Sequence, residues 1–267
     1  RVFKFMANPF RRMFFDIETS YMEITKVFRL GEQYIRPEQI RKHSAIICIC
    51  WKFEGEEKIH SLQWEKGCDK KLIKEFVDIV NSCDEVIAHN GDGFDIKWIR
   101  TRGLFHGITT MPDIKSIDTL KVSRSKFKLP SNKLDEIAKY FNIGKKLEHR
   151  GMPMWEDVIE RNCKKSMKEM IAYCKMDVEV LEKVYHKFFG YITPKTHLAV
   201  FLGGEKWDCP HCASERTMIN TTKFSKVGTV WTQMKCNACK RYFSISEATR
   251  RAYLEFKLKQ ERRKHNL

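Results

Sequence analysis

Residues 12–20 read RMFFDIETS, an apolar run with two acids set into it. In a strand, successive side chains point to opposite faces. Met13, Phe15 and Ile17 then share one face, and Phe14, Asp16 and Glu18 share the other. At twice the strand rise, the two carboxylates stand roughly 7 Å apart on that face. Like charges so close are costly to bury unless a cation sits between them. The stretch is therefore either a strand ending in solvent or half of a metal site.

The rest of the chain decides between these. Its 267 residues suffice for one sizeable domain and a small one. With 42% hydrophobic and 12% aromatic residues the chain is globular in composition. No apolar stretch reaches the roughly 18–20 residues of a membrane helix, and the start, RVFKFMANPFRR, lacks a secretory apolar core. Lys and Arg number 50 against 34 Asp and Glu, a net charge of +16. The excess thickens at 121–133 (KVSRSKFKLPSNK) and 257–267 (KLKQERRKHNL). Basic stretches with interleaved aromatics suit a polyanion, so a nucleic acid is the expected partner. Of the ten cysteines, six are scattered and four form two CxxC pairs. This usage fits a reducing, intracellular compartment, cytoplasmic or nucleoid/nuclear, rather than a disulfide framework.

Hydrophobic periodicity predicts strands in MFFDIET, SAIICICWKFEG and EKIHSLQW, the last two joined by the turn EGEE. Leu72, Ile73, Phe76, Val77 and Val80 predict a helix, followed by a strand EVIAHN and a helix FDIKWIRTRGL. SIDTLK reads as a further strand and KLDEIAKYFNI as a helix, with a basic loop between them. A long helix is expected from about Ser166 to Phe189, with Ser166 and Glu169 at capping-box spacing. The order implies an α/β fold, a mixed central sheet flanked by helices. Pro194 and Gly203-Gly204 mark a boundary. The expected domains are 1–200, 201–246 and a basic helical tail, 247–267.

On the long helix the apolar arc includes Met167, Met170, Ile171, Cys174, Val178, Leu181, Tyr185 and Phe188. At 100° per residue Asp177 falls inside it, and Tyr173, one turn earlier, shares its face. An acid in an apolar arc points to a site. A further acid, Asp95, follows HNGDGF at a helix start, where Gly91 and Gly93 permit an unusual backbone. Asp92 is its rival, and Asp118 in SIDTL is left a structural role.

In order, D-x-E at Asp16 and Glu18, N-x3-F-D at Asn90 to Asp95, and Y-x3-D at Tyr173 to Asp177 resemble the three motifs of DEDDy-type DnaQ-like 3′–5′ exonucleases, including the proofreading domains of family B DNA polymerases. The sister branch carries His five residues before its last acid, where Ala172 stands here; Tyr173 selects the tyrosine branch. The resemblance, over roughly residues 10–190, implies an RNase H-like fold and a two-metal mechanism. Asp16, Glu18, Asp95 and Asp177 would hold two Mg²⁺ or Mn²⁺. Tyr173 would orient the attacking water, and Thr19, Asn90 and Phe94 would contact the terminal nucleotide. The expected function is a stand-alone exonuclease acting on 3′ ends of single-stranded DNA, since the chain as given leaves no room for a polymerase domain. A polymerase or another replication or repair protein is an expected partner. The alternatives are an RNA exonuclease, an RNase H-like endonuclease, and a non-catalytic nucleic-acid-binding or recruitment module.

Cys209, Cys212, Cys236 and Cys239 give C-x2-C-x23-C-x2-C, the pattern of a structural Zn²⁺ site; His211 is a weaker alternative ligand. The intervening segment, rich in Thr, Val and aromatics, predicts hairpin strands and resembles a zinc ribbon. Lys235, Lys240, Arg241, Trp231, Tyr242 and Phe243 are its candidate contacts to nucleic acid or protein.

Overall fold

The computed structural model describes residues 10–25, 34–108, 113–144 and 150–265. It divides into two compact units that meet in sequence between Ile192 and Thr193. The first begins with β1 (Arg12–Thr19), a short pair β2 (Glu23–Ile24) and β3 (Ile40–Lys42), then β4 (Ile46–Phe53) and β5 (His60–Gln63). There follow α1 (Lys70–Asn81), β6 (Glu85–Ala88), α2 (Asp95–Phe105), β7 (Lys115–Asp118), α3 (Thr119–Lys126), α4 (Leu134–Tyr140), α5 (Met152–Ile159) and α6 (Lys164–Phe188).

Five strands form one sheet in the order β5-β4-β1-β6-β7. β4 runs antiparallel to β1 and β5, whereas β1, β6 and β7 are parallel. The sheet is thus mixed, with β1 at its centre. The alternation predicted for β1 separates two cores. Met13, Phe15 and Ile17 pack with Leu72, Phe76 and Ile99 of α1 and α2. Phe14 packs on the opposite side with Cys174, Val178 and Tyr185 of α6, its ring 5.3 Å from that of Tyr185. Because Asp16 and Glu18 follow Phe14 at period two, the register that buries Phe14 turns both acids towards α6.

Local chemistry departs from the sequence expectation in three places. Residues 119–126 of the expected strand and basic loop form α3, because the Asp118 carboxylate accepts the backbone N–H groups of Leu120 and Lys121 and starts a helix. The long helix starts at Lys164, so Ser166 and Glu169 lie inside it instead of capping it. The Ser166 hydroxyl donates to Asp157 (3.0 Å) and accepts from Arg150, which also pairs with Glu169. The unusual backbone of the 90–94 loop falls on Asn90 (φ 66°) and not on its glycines. The glycines supply space: a Cβ on Gly91 would lie 2.5 Å from the Ala88 Cβ, and one on Gly93 2.5 Å from Asn90 Oδ1.

One buried charge cluster ties this unit together. Asp69, just before α1, takes a two-pronged contact from Arg102 of α2 (2.7 Å each), the N–H of Ile46 (3.0 Å) and His106 Nε2 (2.6 Å). Burial pushes its carboxyl up, and the hydrogen bonds outweigh this, holding it below its ordinary pKa. Breaking a buried pair strands the other charge. Asp69→Asn is therefore expected to destabilise the protein by about 3–5 kcal/mol in chemical denaturation. A loss below about 1 kcal/mol, the range of exposed pairs, contradicts this role.

The second unit holds α7 (Leu198–Phe201), β8 (Thr217–Phe224), β9 (Val230–Cys236), β10 (Tyr242–Ile245) and α8 (Glu247–His265). β9 lies between its antiparallel neighbours β8 and β10. The core is small: Met234, Ile245 and Tyr253 are buried, with Trp207, Ile219 and Phe243 packed around them. The tail helix docks on the sheet through Tyr253, whose hydroxyl donates to the Thr217 carbonyl (3.2 Å). The four CxxC thiols gather into one cluster, compatible with a zinc ribbon. No helix among the described residues is long and apolar enough to cross a membrane.

Candidate active site

Three acids from two elements meet between β1 and α6. Asp16, Glu18 and Asp177 each offer an oxygen, and these oxygens lie within 4.8 Å of one another. The two strand acids are partly exposed, while Asp177 is buried on the apolar side of α6. Such a spacing suits hard divalent cations, which take carboxylate oxygens at about 2.0–2.6 Å. Asp95 stands outside this group of three but next to it. Buried at the start of α2, its carboxylate accepts the backbone N–H of Ile17, and its charge acts on Asp16.

The electrostatics are those of an anion cluster. Burial pushes the Asp16 carboxyl well above the usual range, and the charges of Asp95, Glu18 and Asp177 add to it. Burial likewise raises Asp95; hydrogen bonds from its own N–H and that of Ile17 pull it down, Asp118 pushes it up, and it settles at about 7. Tyr173 is raised by burial and then by Asp177, Glu18 and Asp16, so its phenol keeps its proton at neutral pH. It is a donor beside the carboxylates, hydrogen-bonded to Asp177.

These shifts give a prediction for the protein without added divalent metal. Folded Asp95 binds its proton more tightly than the unfolded carboxyl, whose pKa is about 4. The stability it contributes is then present at low pH and is lost as pH rises from about 4 through the folded value, about 7. Asp95→Asn removes that loss and is expected to stabilise the metal-free protein at neutral pH by roughly 2–4 kcal/mol. In thermal denaturation across this window, the gain of the variant over the parent grows with pH. A gain that is flat or shrinks with pH contradicts the expectation.

The surrounding loop is held by Asp118 and His89. Asp118 Oδ1 accepts the N–H of Asn90 (2.9 Å) as well as capping α3, which fits the structural role left to it. His89 bridges Thr119 Oγ1 and the Asn132 carbonyl, each at 2.9 Å. Asp92 pairs with Lys121 (2.7 Å) and bonds Ser116, so it is engaged away from the carboxylate group. Asn90 uses its carbonyl to take the N–H groups of Gly93 and Phe94 (3.0 and 2.8 Å), shaping the turn that delivers Asp95. Phe94 is half-exposed, its ring 6.2 Å from Trp98.

Thr19 ends β1, and its carbonyl accepts from the Trp155 indole (3.1 Å). Thr19, Ser20, Tyr21, Gly151, Met152 and Trp155 line a cavity of about 350 Å³. Trp155 was missed by sequence reasoning: it lies in α5 as an ordinary helical aromatic, and only the fold brings it to Thr19.

In the second unit the Cys209–Cys239 and Cys212–Cys236 sulfur pairs are 3.6 and 3.7 Å apart. A tetrahedral Zn²⁺ with bonds of about 2.3 Å separates its sulfurs by about 3.8 Å, so the cluster fits that ion. Burial raises the Cys236 thiol, but the backbone N–H groups of Cys239 and Ala238 bring it down to about 7. His211 stands outside the thiol group and bonds Arg241 instead. Burial, then the Arg241 charge, holds it down at about 4.

The family model of the RNase H superfamily matches residues 13–189. The chain belongs to that superfamily, and the match spans the mixed sheet and α6. No curated protein sequence matches the chain. Among solved structures it is similar to a family B DNA polymerase from the hyperthermophilic archaeon Pyrobaculum calidifontis, with a TM-score of 0.52 and 18% identity. The match spans 68% of this chain and 25% of that polymerase. At this identity the likeness is one of fold.

Proposed function

We propose that the chain is a metal-dependent 3′–5′ exonuclease that hydrolyses single-stranded DNA from its 3′ end. The observation that carries this reading is the meeting of Asp16, Glu18 and Asp177, with Asp95 beside them and the protonated Tyr173 on the same helix as Asp177. The four carboxylates would hold two Mg²⁺ or Mn²⁺, and the chemistry these ions would supply is Lewis-acid stabilisation of an in-line displacement at phosphorus. The Tyr173 hydroxyl orients the attacking water by hydrogen bonding, and the carboxylates fix where it enters. Water adds to the phosphorus of the last diester, the bond to the preceding 3′ oxygen breaks, and a nucleoside 5′-monophosphate leaves. Thr19, Asn90 and Phe94 surround the terminal nucleotide, with the Trp155 indole fixing the Thr19 carbonyl.

DNA is preferred to RNA here because a solved structure similar to this chain is that of a DNA polymerase, and a polymerase or another replication or repair protein is the proposed partner. The four thiols would hold one Zn²⁺, whose role with four thiolate ligands would be structural. Linear and covalently closed circular single-stranded DNA, each incubated with Mg²⁺, separate this activity from its rival. The linear form is expected to be degraded and the circle to survive; a linearised circle identifies an endonuclease.

A further inference from the structure

The ribbon unit presents an outward face that the proposed active site does not use. Along β9 the side chains alternate: Thr232, Met234 and Cys236 are buried, so Trp231, Gln233 and Lys235 point the other way. The antiparallel register sets Tyr242 of β10 and Met218 of β8 on either side of Lys235, and Lys223 of β8 beside Trp231. Trp231 and Tyr242 are 41% and 49% exposed, although Phe243, next to Tyr242 in sequence, packs against the core. Each exposed ring has its own ammonium: Lys223 Nζ lies 5.8 Å from the Trp231 ring centre and Lys235 Nζ 5.8 Å from that of Tyr242.

The sheet face therefore carries two ring–lysine pairs, roughly 13 Å apart along β9. No Asp or Glu occurs in any of the three strands. Residues 193–267 hold 15 Lys and Arg against 6 Asp and Glu, a balance of +9. Exposed rings are costly in water, and a protein partner that buried them would have to neutralise both lysines. A single strand satisfies both demands at once, with bases on the rings and phosphates on the ammonium groups.

We propose that this face of the ribbon is a second nucleic-acid site, on which Trp231 and Tyr242 stack bases of single-stranded DNA and Lys223 and Lys235 meet its phosphates. Its choice of ligand rests on the nuclease reading above. Arg241, grouped with these residues in sequence, is excluded from the site because it is buried against His211.

The test is fluorescence anisotropy of labelled oligo-dT with the full chain carrying Asp16→Ala and Asp177→Ala, so that binding is read whether or not the parent hydrolyses DNA. Zinc content and circular dichroism verify that each variant is folded. Trp231→Ala and Tyr242→Ala are each expected to weaken binding about 5- to 100-fold, with Trp231→Phe retaining most of it. Lys235→Gln is expected to lower the slope of log affinity against log salt by about 1. Binding within twofold of the parent for both alanine variants overturns the proposal, as does a parent that binds no oligo-dT. A face occupied by a protein instead gives one of those two results. Failure of the nuclease reading appears separately, as absence of hydrolysis in the chain with its acids intact.

Discussion

Asp16→Ala or Asp177→Ala is expected to lower Mg²⁺-dependent hydrolysis on the order of 10⁴-fold, as loss of one member of a catalytic unit does. Each variant removes one of three carboxylates whose oxygens lie within 4.8 Å of each other. The cluster is also a source of strain in the metal-free protein, because burial and mutual repulsion raise Asp16 far above its ordinary range. Removing one charge should thus leave folding intact or improve it while activity disappears. Single-turnover hydrolysis of a labelled single strand, paired with thermal denaturation, reads both effects. Full activity in either variant, or activity lost only because the fold is lost, contradicts the assignment.

The second large effect concerns the ribbon. Its hydrophobic cluster among the described residues buries just Met234, Ile245 and Tyr253, too little apolar burial to order a unit of this size alone. A structural Zn²⁺ supplies apparent binding free energy of about 10–16 kcal/mol in small modules, which becomes folding free energy. Cys236→Ser is accordingly expected to abolish zinc binding and to open residues 193–267 to proteolysis. Residues 11–192, with their own two cores, should stay protected. The measurement is zinc content by a chromogenic chelator together with limited proteolysis mapped by mass spectrometry. A ribbon that stays protected without zinc shows that the thiols are only packed.

Much of this fold could be read from the chain because its periodicities are strong. The five positions that predict α1 are the five it buries. The alternation in β1 assigns Phe14 and Met13 to different cores, and with them the direction of Asp16 and Glu18. Asp177 stood out as the acid that broke the apolar arc of α6, and the structure buries it facing the strand acids. What escaped depends on contacts made across long separations. α3 exists because Asp118 caps it, yet Asp118 in sequence looks like the end of a strand. Ser166 spends its hydroxyl on Asp157 and Arg150, which no local pattern announces. Trp155 reaches Thr19 over 136 residues of chain. In the ribbon, composition put Arg241 and Phe243 on a par with Trp231 and Tyr242, and only the strand register sorts inward from outward.

Polarity of digestion bears most directly on the proposed activity. The same single-stranded DNA, labelled at its 3′ or its 5′ end, is incubated with the protein and Mg²⁺ and resolved on a denaturing gel. We predict that the 3′ label is released at once as a mononucleotide, while the 5′-labelled strand shortens step by step. Early release of the 5′ label, with the 3′ label kept on long fragments, would contradict it.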